Sequence, residues 1–102
     1  MRWYRDLYIG ENAHKKADKI IEKVNKNKLQ KNVFLITKAT NGCDLFDIYP
    51  AHVFLQKHFK SADYLIIGIA LGYDEAVLLV QTIVDELYCK QGITNLKEYF
   101  EG

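Results

Sequence analysis

Few residues in this chain have the types and spacing that could do chemistry. His52 and His58 are six residues apart, which turns them to different faces of a helix and denies them a common metal ion; His14 sits among lysines as a surface residue. Cys43 and Cys89 match no metal-binding or redox spacing and read as free thiols of a reducing compartment. Cys43 beside Asp44, or with His52, has the ingredients of an activated nucleophile, yet the adjoining Asn41-Gly42 marks an exposed turn, a poor support for one. The run Gly68-Ile-Ala-Leu-Gly72-Tyr-Asp-Glu75 falls where a strand should give way to a helix, a place where a glycine loop can cradle phosphate. Its spacing is neither that of a dinucleotide-binding turn nor that of a P-loop, and Asp74 and Glu75 put negative charge where an anion would sit. A capped turn is the stronger reading. Asp6 and Asp47 are two more carboxylates of interest. On an apolar surface either could have a raised pKa and act as acid or base, but a hydrogen bond to a tyrosine across the sheet ranks higher. No catalytic residue, metal site or cofactor is assigned on this basis.

The elements that must position these groups are legible from periodicity and turn chemistry. Trp3 to Ile9 is rich in strand formers and ends at Gly10. Asn12 then suits a helix N-cap, and Ala13, Ala17, Ile20, Ile21 and Val24 recur at helical spacing with lysines on the other side, predicting an amphipathic helix to about Lys28. Val33–Ala39 and Leu45–Tyr49 read as two strands joined by the hairpin signal Asn41-Gly42. Pro50 suits the first turn of a helix through Phe59, and Tyr64–Ala70 reads as a fourth strand. Beyond Gly72, a long apolar helix is expected from Asp74 to about Cys89, ended by Gly92, with a short terminal helix opening at Asn95.

Strand, helix, strand, strand, helix, strand is the β-α-β-β-α-β order of the ferredoxin-like fold. The expectation is an α+β domain over residues 1–102, with an antiparallel sheet, a long last helix and a short C-terminal helix. In that fold both helices cover one sheet face and leave the other uncovered. With Asn41-Gly42 as a two-residue turn, Phe34 opposes Tyr49, Ile36 opposes Asp47 and Lys38 opposes Leu45. Alternation then gathers Tyr4, Asp6, Tyr8, Phe34, Ile36, Leu45, Asp47, Tyr49, Tyr64 and Ile66 on the uncovered face. A patch so apolar needs a cover: a second copy of the chain, its own segment Leu96–Phe100, or a ligand. The nearly all-apolar last helix, Ala76 to Tyr88, favours the second copy.

The phrase Asp6-Leu-Tyr-Ile-Gly-Glu-Asn12 resembles the first-strand signature of RNA-recognition-motif domains, which implies Tyr8 as a base-stacking ring. That family's second signature is basic and glycine-rich, whereas the corresponding strand here reads Asp44-Leu45-Phe46-Asp47-Ile48-Tyr49. The partial match is judged coincidental, and nucleic acid ranks last among partners. The phrase Gly68-Ile-Ala-Leu-Gly-Tyr-Asp-Glu-Ala76 is similar to small uncharacterised bacterial proteins, a resemblance that implies no activity.

The bulk numbers agree with a globular chain: 102 residues, 49% hydrophobic, 26% charged and an unusual 13% aromatic. A net charge of +1 conceals an asymmetry, because residues 11–31 hold seven lysines against three carboxylates and residues 61–102 hold two against seven. Such a chain could pair head to tail with itself or meet an acidic partner. Arg2, Arg5 and Asp6 interrupt any N-terminal signal sequence, and Tyr64–Leu71 is far short of the ~18 residues a spanning helix needs, so a cytoplasmic location without membrane contact is expected. The leading expectation is a non-enzymatic homodimeric interaction or small-ligand-binding domain using the aromatic sheet face. The alternative is a small enzyme whose pocket at that face is lined by Asp6, Asp47, Tyr8 and Tyr49.

Overall fold

The computed structural model describes residues 2–26, 28–38, 46–55, 64–90 and 92. Four strands, β1 (Arg2–Ile9), β2 (Val33–Lys38), β3 (Phe46–Pro50) and β4 (Leu65–Leu71), form one sheet in the order β1-β4-β2-β3. β4 runs parallel to β1 and antiparallel to β2, and β2 pairs antiparallel with β3. Between β1 and β2 lie a short 3-10 turn, His14–Lys16, and helix α1 (Ala17–Asn25); after β4 come helix α2 (Tyr73–Val84) and a π-helical turn, Asp85–Lys90.

The α+β class stands, but the ferredoxin-like order does not. That order would put β1 and β3 at the centre of the sheet and β4 at its edge. The side chains demand the reverse. β4 reads Leu-Ile-Ile-Gly-Ile-Ala-Leu, and its first six residues are all buried, so it must be covered on both faces. β1 carries Arg2, Arg5 and Asp6, all exposed, and belongs at an edge, where inward or outward charge also blocks further strand pairing. β3 ends in Pro50, which lacks an N–H and is tolerated in an edge strand. Pro50 therefore closes β3, and the helix expected there begins directly after it as the 3-10 turn Ala51–Leu55, its expected continuation to Phe59 lying outside the described residues.

The sheet carries a helix on each face. On one side Ala17, Ile20 and Val24 of α1 pack on Val33, Leu35, Ile66 and Ile69, with Trp3, Leu7 and Ile9 half-buried beside them. The Trp3 indole donates a hydrogen bond to Asn25 Oδ1 (3.0 Å), tying the end of α1 to β1. On the other side Ala76, Leu79, Ile83 and Leu87, spaced so as to fall on one helical face, pack on Ile36, Leu65, Ile67 and Ala70. A bulge in β4 adjusts this pattern. Ile36 pairs with Gly68 but Thr37 pairs with Ile66, so Ile67 is the extra residue. As a result Leu65 and Ile67 face α2 while Ile69 faces α1, although plain alternation would keep all three together.

The β2–β3 register also differs by one residue from expectation. Phe34 pairs with Pro50, Leu35 with Tyr49, Ile36 with Ile48, Thr37 with Asp47 and Lys38 with Phe46. A one-residue slip exchanges the two faces of a strand. The observed register places Phe46 and Ile48 beside Phe34 and Ile36 under α2, and sets Asp47 opposite Thr37 instead of opposite Ile36. The Asn41-Gly42 turn, Cys43, Asp44, Leu45, His58 and the terminal segment from Asn95 lie outside the described residues. Among the described residues no helix is long and apolar enough to cross a membrane.

Candidate functional site

The set of residues gathered on one uncovered face divides between two covered ones. Tyr4, Tyr8, Phe34 and Ile36 lie on the α2 side, whereas Tyr49, Tyr64 and Ile66 lie on the α1 side. Ile36 and Ile66 have no accessible surface. The first group is covered at least in part by the chain's own α2. Tyr8 stacks on Tyr4, with centroids 6.4 Å apart and planes 5° from parallel, in a half-buried position against that core. Asp6 is exposed on β1 and Asp47 is half-buried on β3; these are opposite edges of the sheet, so the two carboxylates cannot act as a pair.

What the structure does bring together on the α1 side is Asp47, Tyr49 and Tyr64. The Tyr49 hydroxyl donates to Asp47 Oδ2 at 3.4 Å, and its ring meets that of Tyr64 edge-on at 5.9 Å. Burial, and then the negative charge of Asp47 and the Tyr64 hydroxyl, push the Tyr49 phenol above its ordinary value. This bond runs along β3 between residues two apart, whereas the sequence suggested a tyrosine across the sheet. Thr37, paired with Asp47 on the next strand, is fully buried, and its hydroxyl has no hydrogen-bond partner among the described residues.

A larger concave site lies elsewhere, at the carboxyl ends of β1 and β4. These strands are parallel neighbours, yet their chains leave in opposite directions: β1 turns through Gly10-Glu11-Asn12 to α1 on one face, and β4 turns through Gly72 to α2 on the other. Diverging connections at the ends of adjacent parallel strands leave a crevice, the general location of ligand sites in open sheets with helices on both faces. Here the crevice has a volume of about 940 Å³. Ile9, Leu71, Leu78 and Leu79 supply its apolar surface, Asn12, Asn32 and Thr82 its neutral polar groups, and Glu11, Asp74 and Glu75 its charge. Tyr73 stands at the rim, exposed, with its ring edge-on to Phe34 at 5.8 Å.

Glu75 organises this region. Its two carboxylate oxygens accept hydrogen bonds from the backbone N–H groups of Asn12 and Leu71, each at 2.6 Å, so one side chain clasps the ends of both strands. The clasp needs a glycine at position 10, because a Cβ there would lie 2.5 Å from Glu75 Oε2. Gly72 adopts φ +91°, and its N–H donates to the carbonyl of Asn32 at 2.8 Å; Asn32 itself has φ +62°. Such positive values suit glycine and are tolerated by asparagine. The charges at this helix start decide the phosphate question raised by the glycines. Asp74 and Glu75 put two negative charges in the first turn of α2, Glu11 adds a third, and among the described residues no lysine, arginine or histidine lines the crevice. The site repels anions. It suits a neutral or cationic group with an apolar body.

The two junctions, Gly10-Glu-Asn and Gly72-Tyr-Asp-Glu, were each visible as turns. Their juxtaposition was not, because it depends on β1 and β4 being parallel neighbours. Of the cysteines, Cys89 is a free, exposed thiol in the π-helical turn, held above its usual value by a hydrogen bond with Asp85. Among the described residues no cluster of histidine, cysteine and carboxylate side chains is arranged to hold a metal ion. Compared with known proteins, the chain matches no family model, no curated protein and no solved structure.

Proposed function

We propose that the protein is a small-ligand-binding domain whose ligand enters the crevice between the carboxyl ends of β1 and β4. The observation that carries this reading is a crevice of about 940 Å³ at the point where parallel neighbouring strands send their helices to opposite faces. Its lining favours a small organic amine: apolar surface from Ile9, Leu71 and Leu78 for the body, and the carboxylates of Glu11 and Asp74 for the ammonium. The Tyr73 ring adds a face on which a cation can rest. The comparison that tests this is calorimetric binding of 2-phenylethylamine against phenylacetate, which share a body and differ in charge. The amine binds and the carboxylate does not; an Asp74→Asn, Glu11→Gln double variant weakens the amine roughly tenfold, as expected for loss of two nearby charges. Equal binding of both compounds, or none, refutes the reading.

A second reading, self-association, keeps one specific observation in its favour. Leu78 is 62% exposed and Tyr88 53% exposed on the outer side of the last helical segment. A homodimer would then form through α2 and not through the aromatic sheet face that α2 covers. Light scattering on the parent and on Leu78→Asp distinguishes a dimer that dissociates from a monomer unaffected by the change.

A further inference from the structure

On the far side of the sheet from α2, the lysines of α1 do more than solvate a helix. Lys16, Lys19 and Lys23 recur at helical spacing along one stripe, and Lys31 approaches them from the segment leading into β2. Together they rim a cavity of about 390 Å³ whose floor is apolar, formed by Ile20 and Val33. Gln30 is 9% exposed at this floor, held by a hydrogen bond from its Nε2 to the carbonyl of Ile20 at 3.3 Å. Leu29, in contrast, is 66% exposed at the rim. A neighbouring hollow of about 360 Å³ continues past Lys19 and Lys23 to Lys26 and Lys28. Glu22, the one carboxylate among its described lining residues, is already paired with Lys26 at 2.6 Å. Among the described residues no carboxylate pairs with Lys16, Lys19, Lys23 or Lys31.

Four like charges around a concave surface raise the local potential and concentrate counter-ions. An apolar floor beneath them adds selectivity for an anion that carries a hydrophobic body. We infer that this groove binds an organic polyanion, a ligand with two or more phosphate or carboxylate charges on a flat or apolar body of nucleotide size. The charges lie on the lysine stripe, and the body covers Ile20, Val33 and Leu29. Among the described residues the groove has no aromatic ring for base stacking and no arginine for bidentate phosphate recognition, which sets it apart from a surface built for nucleic acid. It meets the acidic crevice at Leu71, which lines both, but the crevice has the opposite charge preference.

The test uses ATP, inorganic triphosphate and a single-stranded oligonucleotide, each titrated into the full chain at fixed ionic strength and followed by backbone amide shifts. The expected result is saturable binding of ATP, with shifts at Lys19, Lys23, Gln30 and Lys31, and several-fold weaker binding of triphosphate, which lacks the body. A Lys19→Glu, Lys23→Glu double variant loses about tenfold or more in ATP affinity, while Lys19→Arg, Lys23→Arg retains it. Both lysines are exposed, so the charge-reversed chain keeps its fold, as circular dichroism will show. Absence of saturable ATP binding overturns the inference, as does triphosphate binding as tightly as ATP. Oligonucleotide affinity that exceeds that of ATP and grows with strand length overturns it in favour of a nucleic-acid surface.

Discussion

Glu75 is the residue on which the crevice turns, and its environment makes a quantitative statement. A carboxylate that accepts two backbone N–H bonds is worth about 1.5–3 kcal/mol per charged hydrogen bond where it is shielded from water, and less where it is partly exposed, as here. Glu75→Ala should therefore cost about 2 kcal/mol in urea unfolding. Gly10→Ala drives a methyl group into the same carboxylate and dislodges it. The two changes remove one interaction, so the double variant is less destabilised than the sum of the singles, by an amount on the order of 1 kcal/mol. Strict additivity would show that Glu75 does not join the two strand ends.

Tyr49 gives a second test at the same scale. Burial first, and the Asp47 charge next, raise its phenol above the ordinary value of 10.0. The folded state thus holds this proton more tightly than the unfolded chain does. Its contribution to stability is complete below pH 10.0 and is lost as pH rises through the folded value. Urea melts above pH 10.0 should fall less steeply for Tyr49→Phe than for the parent. Identical slopes would remove Tyr49 from the alkaline transition. Asp47-Ile-Tyr49 alternates on a strand, which puts the two side chains on the same side whatever the register, but the partner expected from the sequence was a tyrosine across the sheet and not one along β3.

Among the elements, α2 shows most clearly what a linear pattern contains and omits. Its start after Gly72 and its apolar character were both readable. Which sheet face it covers was not, since nearly every side is apolar and no single stripe stands out. The structure selects Ala76, Leu79, Ile83 and Leu87 for burial and leaves Leu78 exposed. Ile83→Ala should accordingly cost about 2–5 kcal/mol, while Leu78→Ala stays within about 0.5 kcal/mol. Similar costs for the two, measured by urea unfolding, would mean that a different face of the helix packs on the sheet. The β4 bulge hides in the same way: Leu-Ile-Ile-Gly-Ile-Ala alternates equally well with or without an extra residue, because every position is apolar. Pro50 stands at a junction of two roles, closing the edge strand β3 just before the turn Ala51–Leu55, since an edge strand and the start of a helix both dispense with its N–H.

At the scale of the whole molecule, strand order separates expectation from structure. The succession of strands and helices suited a ferredoxin-like sheet, and succession says nothing of which strands become neighbours. The information was present in composition: charges in β1, a proline in β3 and an uninterrupted apolar run in β4 set edges and centre. Once β4 lies beside β1 in parallel, the rest follows. A helix is carried to each face, the acidic crevice opens between the two connections, and the lysines of α1 are held on the opposite layer. The chain's charge asymmetry becomes two chemically distinct surfaces on one small domain.

The most direct test of this account is a two-dimensional amide NMR titration of the labelled protein with 2-phenylethylamine. The account predicts saturable shifts concentrated at Gly10, Asn12, Leu71, Gly72 and Tyr73, where the connections from β1 and β4 diverge, with the amides of α1 unmoved. Saturable shifts centred on Tyr49 and Tyr64, or on the α1 lysines, would place the amine site elsewhere, and the absence of saturation would contradict a ligand-binding crevice altogether.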